Sequence, residues 1–139
     1  MIEHSRPVVY WDTSAILSVL FKDEHSEKAK KLVDQDGVHL ISSLGYAEAC
    51  AVLVRIGREG LLTDILVKAA FEVLETGPWR RILLQPAWED LRDLCKKWPL
   101  RGADLWHLAA AKRIQQELPE LCLFTFDERL KSAAKGEGL

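Results

Sequence analysis

Short apolar runs rich in β-branched and aromatic residues recur four times along the chain, and segments of helical spacing fill the intervals between them. The runs fall near Val8 to Trp11, Val38 to Ile41, Arg81 to Leu84 and Leu121 to Phe126. Helical patterns occupy His25 to Gln35, Ser43 to Gly57, Leu61 to Glu75, Ala87 to Trp98 and Ala103 to Leu118, with short helices expected after Asp12 and Asp127. Gly60, Gly77, Pro78, Pro86, Pro99 and Pro119 supply the breaks. Strands that alternate with helices pair in parallel, because a right-handed helical crossover returns each strand to the same end of the sheet. The expectation is an α/β domain with helices on both faces of a parallel sheet.

At 139 residues the chain suits one domain, 1–139, able to bury roughly 68% of its unfolded surface. No repeat, low-complexity tract or linker divides it. Its apolar runs fall far short of the ~18 residues of a membrane span, and Met1 to Val8 lacks the apolar centre of a secretory signal, so a soluble, cytoplasmic protein is expected. Cys50, Cys95 and Cys122 are odd in number and lie among apolar neighbours, which predicts reduced core thiols and neither a disulfide frame nor a zinc knuckle.

Ligands of parallel sheets bind beyond the carboxyl ends of the strands. VVYW runs directly into Asp12 and LCLFTF into Asp127, so two strands each deliver a carboxylate to one edge. Glu48 is the single charge in LGYAEACAVLV and Asp104 the single charge in GADLWHLAAA, both on expected helices. A carboxylate in such surroundings needs a partner or a metal. Each acid also has a purely structural reading. Asp12 and Asp127 can cap helices at about 1 kcal/mol each, Asp104 can complement a helix dipole, and Glu48 can snorkel or pair with Arg101.

Together the four are harder to explain as structure. Two carboxylates ~4 Å apart repel by about 4 kcal/mol at an effective dielectric of 20 unless cations intervene. An oxygen-only donor set suits Mg²⁺ or Mn²⁺, and the matching chemistry is metal-assisted phosphoryl transfer or hydrolysis. His107 lies one turn beyond Asp104 and reads as a packed, hydrogen-bonded side chain, not a ligand. Thr13 and Ser14 either start a helix or orient the Asp12 carboxylate. The five tryptophans read as core, with Trp98, between KK and PLR, the one placed to stack on a base.

The net charge of −2 argues against a polyanionic partner. With four of the 21 acids committed to metal, however, the 19 Lys and Arg outnumber the remainder. Lys30/Lys31, Arg80/Arg81 and Lys96/Lys97 then serve either as a diffuse basic rim or as ordinary solvated charge.

These stretches resemble the PIN-domain ribonucleases, and among them the VapC-type toxins of prokaryotic toxin and antitoxin pairs. VVYWDTSAIL is similar to the family's first acidic motif, SSLGYAEA to its helical Glu, LRGADLWHLAAA to its third motif and LFTFDERLKSAA to its fourth. The resemblance implies a three-layer α/β/α sandwich around a parallel sheet of four or five strands. It assigns catalysis and metal holding to Asp12, Glu48, Asp104 and Asp127, with Ser14 in support. It implies a Mg²⁺ or Mn²⁺ cofactor, a single-stranded RNA substrate cleaved by a metal-activated water, a homodimer and a cognate antitoxin. The fifth strand is left open because the sequence ends at KGEGL, where many members continue into an edge strand.

Four other functions stand beside this one. A haloacid-dehalogenase-type phosphatase needs a second Asp where Ser14 stands, and a receiver domain needs acids where Tyr10 and Trp11 stand. A PIN fold that binds RNA or protein without cutting is expected to lose an acid, and none is lost. A housekeeping RNA-processing nuclease differs from a toxin only in gene context. For dimerisation, the segment LLTDILVKAAFEVL places Leu62, Ile65, Ala69 and Val73 on a face that extends beyond one core.

Overall fold

The computed structural model describes residues 6–139, so most of the leading segment read above lies outside it. Four strands form one sheet: β1 Val8–Trp11, β2 Val38–Ser42, β3 Trp79–Ile82 and β4 Cys122–Phe124. Their order is β3-β2-β1-β4 and every pairing is parallel. The first strand is therefore central, with Val9 opposite His39 on one side and Cys122 on the other.

Alternation along β1 divides the core in two, since successive side chains of a strand point to opposite faces. Val8 and Tyr10 join Leu40, Leu108, Leu123 and Leu130 on one face. That face is covered by α5 Trp88–Lys97, α6 Gly102–Gln115 and α7 Glu128–Gly136. Val9 and Trp11 join Ile16, Ile41, Leu53 and Leu74 on the other. There the cover is α1 Thr13–Leu20, α2 Ser26–Val33, α3 Ser43–Arg58 and α4 Asp64–Thr76. The result is the expected three-layer sandwich, with four strands among the described residues.

Side-chain caps start three of the four helices at the site, α6 being the exception. Ser42 Oγ accepts from Gly45 N, Asp12 from Ala15 N and Asp127 from Leu130 N, each satisfying an orphan N–H of the first turn. Inside the sheet, Trp11 Nε1 donates to His39 Nδ1 at 3.0 Å, which leaves His39 Nε2 to donate to the Gln35 carbonyl at 2.9 Å. No buried side-chain polar atom among the described residues lacks a partner.

Several expectations need correction. The third strand begins at Trp79, not Arg81, because the Trp79 ring packs edge-on against Trp11 at 5.1 Å and brings the backbone into register with His39. It ends before Leu83, which is 93% exposed. The fourth strand stops at Phe124, two residues short of the expected end, because Thr125 turns into a hydrogen-bonded corner. The cysteines are not core thiols: Cys95 and Cys122 are exposed and Cys50 is half-buried, since β4 is an edge strand and the α5 position faces solvent. Nor are all the tryptophans core, for Trp88 is 88% exposed. Trp98 is no open platform. Its indole donates to Glu137 Oε2 at 2.9 Å and its ring lies so close over Gly136 that a Cβ there would stand 2.3 Å from it.

Candidate active site

Asp12 follows β1, Asp127 follows β4, Asp104 lies in the first turn of α6 and Glu48 in the second turn of α3. All four reach the carboxyl edge of the sheet. The Asp104 carboxyl is raised above its ordinary value, first by burial and then by the charges of Asp127, Asp12 and Glu48, against the opposing pull of His107. Such mutual influence places the four in one electrostatic neighbourhood.

Asp12 is the most constrained. It is 2% exposed, and burial raises its pKa despite the hydrogen bonds that favour its charge. Its Oδ1 accepts from Ala15 N at 2.9 Å and from Ser14 Oγ at 2.8 Å. Its Oδ2 accepts from Thr125 Oγ1 at 2.6 Å. The helix cap and the site residue are thus the same side chain, so the two readings of Asp12 do not compete.

Thr125 has no place in the sequence reading. Its hydroxyl donates to Asp12 and accepts the backbone N–H of Asp127 at 3.0 Å, joining the two strand-end acids through one buried oxygen. A signal for it exists: Thr125 is the one hydroxyl in the run LCLFTF. Ser14 ties the same corner, accepting from Phe126 N at 3.2 Å while donating to Asp12.

Glu48 is 35% exposed at its side chain and pairs with neither solvent alone nor Arg101. Thr13 Oγ1 donates to its Oε1 at 2.6 Å, and His107 Nε2 lies 3.3 Å from the same oxygen. These contacts, that of His107 first, hold the Glu48 carboxyl below the usual carboxylate range. On its other side, His107 Nδ1 meets the Tyr10 hydroxyl at 2.6 Å. Burial pushes the Tyr10 hydroxyl well above the ordinary tyrosine value.

Asp104 and Asp127 line a cleft of about 260 Å³ together with Arg101, Glu128 and Arg129. A larger groove of about 630 Å³ runs along α3 between Tyr46 and Arg58, and none of the four acids lines it. Its mostly apolar walls carry Tyr46, Cys50, Arg55 and Arg58 but no carboxylate, so the smaller cleft is the acidic one.

The donor set fits a hard divalent cation. Asp127 commits Oδ1 to its cap and Glu48 commits Oε1 to Thr13, leaving Asp127 Oδ2, Glu48 Oε2 and both Asp104 oxygens without a protein donor among the described residues. As arranged, no three His, Cys, Asp or Glu side chains among those residues converge on a single point. That spacing does not suit an all-protein cage. It suits Mg²⁺ or Mn²⁺, which one or two carboxylates hold while water and phosphate complete the shell.

The sequence profile of the PIN domain matches residues 9–136, nearly the whole chain and every side chain just described. The chain is a PIN-domain protein. Among curated relatives, ribonuclease VapC49 of Mycobacterium tuberculosis is 32% identical over 135 residues, spanning 95% of this chain and 92% of the relative. Ribonuclease VapC46 of the same species is 28% identical over 131 residues, spanning 94% and 93%. This PIN-domain chain therefore belongs with the VapC-type members of the family. Solved structures agree on the fold. PAE2754 from Pyrobaculum aerophilum superimposes with a TM-score of 0.63 at 20% identity, over 94% of this chain and 81% of that one. VapC20 of M. tuberculosis, described as a sarcin-ricin loop cleaving toxin, gives 0.60 at 14%, over 90% and 94%.

Proposed function

We propose that this PIN-domain protein is an endoribonuclease that hydrolyses phosphodiester bonds of single-stranded RNA with Mg²⁺ or Mn²⁺. In this reading it is the toxin of a two-protein prokaryotic system and is silenced by a cognate antitoxin. The observation that carries the reading is the gathering of Asp12, Glu48, Asp104 and Asp127 at one sheet edge, with Asp104 raised by the other three. Relatives named as VapC ribonucleases over more than nine-tenths of their length point the same way.

Asp104 and Asp127, which line one cleft, would hold the cation through their unspent oxygens, with Glu48 beside them and Asp12 adding a buried negative charge behind. A divalent ion so held supplies Lewis-acid polarisation and neutralises charge that develops on the phosphate. The protein's share is positioning. Asp12 is fixed by Ala15, Ser14 and Thr125, and Glu48 by Thr13 and His107, so neither carboxylate must reorganise when substrate arrives. Arg101 and Arg129 form no ion pair among the described residues and bring two guanidiniums to the cleft wall, where a phosphate can be taken in fork geometry.

The homodimer belongs to the same proposal. Leu61, Ile65, Leu66 and Val73 are exposed along and just before α4, and Ile65 reaches 79%. Among the described residues no helix is long and apolar enough to cross a membrane.

The test is cleavage of a fluorescent single-stranded RNA by purified protein in Mg²⁺, Mn²⁺ and EDTA, beside Asp104→Asn. Metal-dependent cleavage lost in the variant is the expected result. Tight RNA binding with no cleavage in either metal would replace the enzyme with a binding module. A short reading frame for a DNA-binding protein beside the gene separates a toxin from a housekeeping nuclease.

A further inference from the structure

Four side chains form a continuous polar path through the core beneath the site. Ser42 Oγ lies 3.1 Å from the Tyr10 hydroxyl, that hydroxyl lies 2.6 Å from His107 Nδ1, and His107 Nε2 lies 3.3 Å from Glu48 Oε1. Tyr10 is fully buried and His107 is 1% exposed. We propose that Tyr10 and His107 are positioning residues, a buried relay that fixes the Glu48 carboxylate at the candidate site. The inference rests on the reading of Glu48 as part of that site.

The topology of the path carries the argument. Both of its ends belong to α3: Ser42 caps that helix through Gly45 N, and Glu48 sits six residues further on, about 9 Å along the axis. Its middle belongs to β1 and α6. The helix bearing Glu48 is therefore tethered at two heights to a single unit of strand and helix, so neither rotation nor sliding of α3 leaves the path intact. Close approach makes the tether short. A Cβ at Gly45 would stand 3.6 Å from His107 Cε1 and 3.3 Å from Ile16 Cδ1, so the missing side chain brings the helix backbone near the imidazole.

Proton accounting fixes the Glu48 end of the path. A carboxylate accepts only, so the His107 nitrogen that faces Glu48 carries a proton. The Tyr10 hydroxyl has one proton and two partners, Ser42 Oγ and His107 Nδ1, the second being the shortest contact of the path. Thr13 Oγ1 gives Glu48 Oε1 a second donor from α1. One carboxylate oxygen is thus held from two elements while Oε2 stays free. His107 Nε2 also lies 3.2 Å from Thr13 Oγ1, whose own proton goes to Glu48, so the imidazole N–H is shared between that hydroxyl and the carboxylate it supports.

Two substitutions separate the halves of the imidazole. Gln at 107 places an amide N–H near the Nε2 position, and Asn reaches only as far as Nδ1. The expected outcome for His107→Asn is a loss of about 10–100-fold in Mn²⁺ affinity by calorimetry and in kcat on RNA, with KM for RNA unchanged. His107→Gln recovers most of both. A folded His107→Asn with wild-type Mn²⁺ affinity and kcat overturns the inference.

A spectroscopic arm needs no change at position 107. In metal-free protein, imidazole ¹⁵N shifts report the Nε2–H form of His107, and Glu48→Gln is expected to move both those signals and the Tyr10 hydroxyl proton. Unmoved signals overturn the relay, even if His107→Asn fails to fold. The same Glu48→Gln protein, assayed for cleavage, tells the two failures apart. Normal cleavage by Glu48→Gln removes the functional reading and the inference with it. Loss of cleavage beside wild-type behaviour of His107→Asn removes the inference alone.

Discussion

Replacing Thr125 by Val keeps the branched shape of a buried side chain and deletes one oxygen. That oxygen donates to Asp12 Oδ2 at 2.6 Å and accepts from Asp127 N at 3.0 Å. A hydrogen bond to a buried charge contributes about 1.5–3 kcal/mol, and the Asp127 N–H, half-exposed and open to water, about 0.5–1 kcal/mol. The expected loss in Thr125→Val is about 2–4 kcal/mol at neutral pH. With about 2.1 cal/mol/K of unfolding entropy per residue and 139 residues, each kcal/mol moves Tm by about 3.4 °C, so the variant should melt roughly 7–14 °C lower.

The loss also has a pH signature. Asp12 already has its folded pKa raised by burial, and Thr125 is the first of the hydrogen bonds that oppose the rise. An acid with a raised folded pKa takes up its proton in the native state first, so stability falls as pH rises from the ordinary carboxylate value and the cost is complete above the folded one. Without Thr125 the folded value moves higher still. The deficit of Thr125→Val is therefore full well above the folded values and vanishes in acid, once native Asp12 is protonated in both proteins. Urea melts of wild type, Thr125→Val and Thr125→Ser in EDTA at several pH values measure it, with the serine hydroxyl restoring most of the loss. A deficit below about 0.5 kcal/mol, or one that is the same at both pH extremes, refutes the assigned role of this hydroxyl.

Asp104→Asn should abolish metal-dependent cleavage yet raise stability in EDTA, by about 0.5–1 kcal/mol after allowance for solvent screening of this half-exposed group. Because its folded pKa is raised, that gain appears above the folded value and vanishes below the ordinary one; thermal melts across pH follow it. Gly136→Ala should destabilise by about 1–3 kcal/mol, since the new methyl meets the Trp98 ring, while cleavage per folded molecule is unchanged. Ile65→Glu should shift the protein to monomer in sedimentation velocity with little change in melting of the monomer, because this side chain is 79% exposed.

Most of the fold is legible in the sequence because the signals are local. VVYW and VHLI carry buried strands in four or five residues, and the acids that end or interrupt apolar runs mark the carboxyl edge without any knowledge of pairing. What fails depends on distant partners. The start of β3 is set by the Trp79 ring against Trp11, and the early end of β4 by Thr125 turning toward Asp12, neither of which shows in a window of ten residues. The cysteines fail for the same reason, since apolar neighbours say nothing of which strand lies at the sheet edge. At the site, sequence pattern finds charges and misses what holds them. Thr125, Tyr10 and Ser42 look like ordinary strand and cap residues until the fold sets their hydroxyls beside Asp12 and His107.

The central place of β1 fixes when the site can exist. A ribosome makes Asp12 long before Cys122–Phe124, yet these strands lie side by side, Val9 opposite Cys122. Until β4 is made, a nascent chain holds Asp12 on a strand with one bare flank, without Thr125 and without Asp127. Glu48 and Asp104 are present by then, but the corner that joins the strand-end acids is not. Translation thus delivers the acids one at a time, and the corner that joins two of them waits for β4. A ribonuclease of the kind proposed would therefore lack its complete acidic corner until the ribosome, itself built of RNA, has made β4.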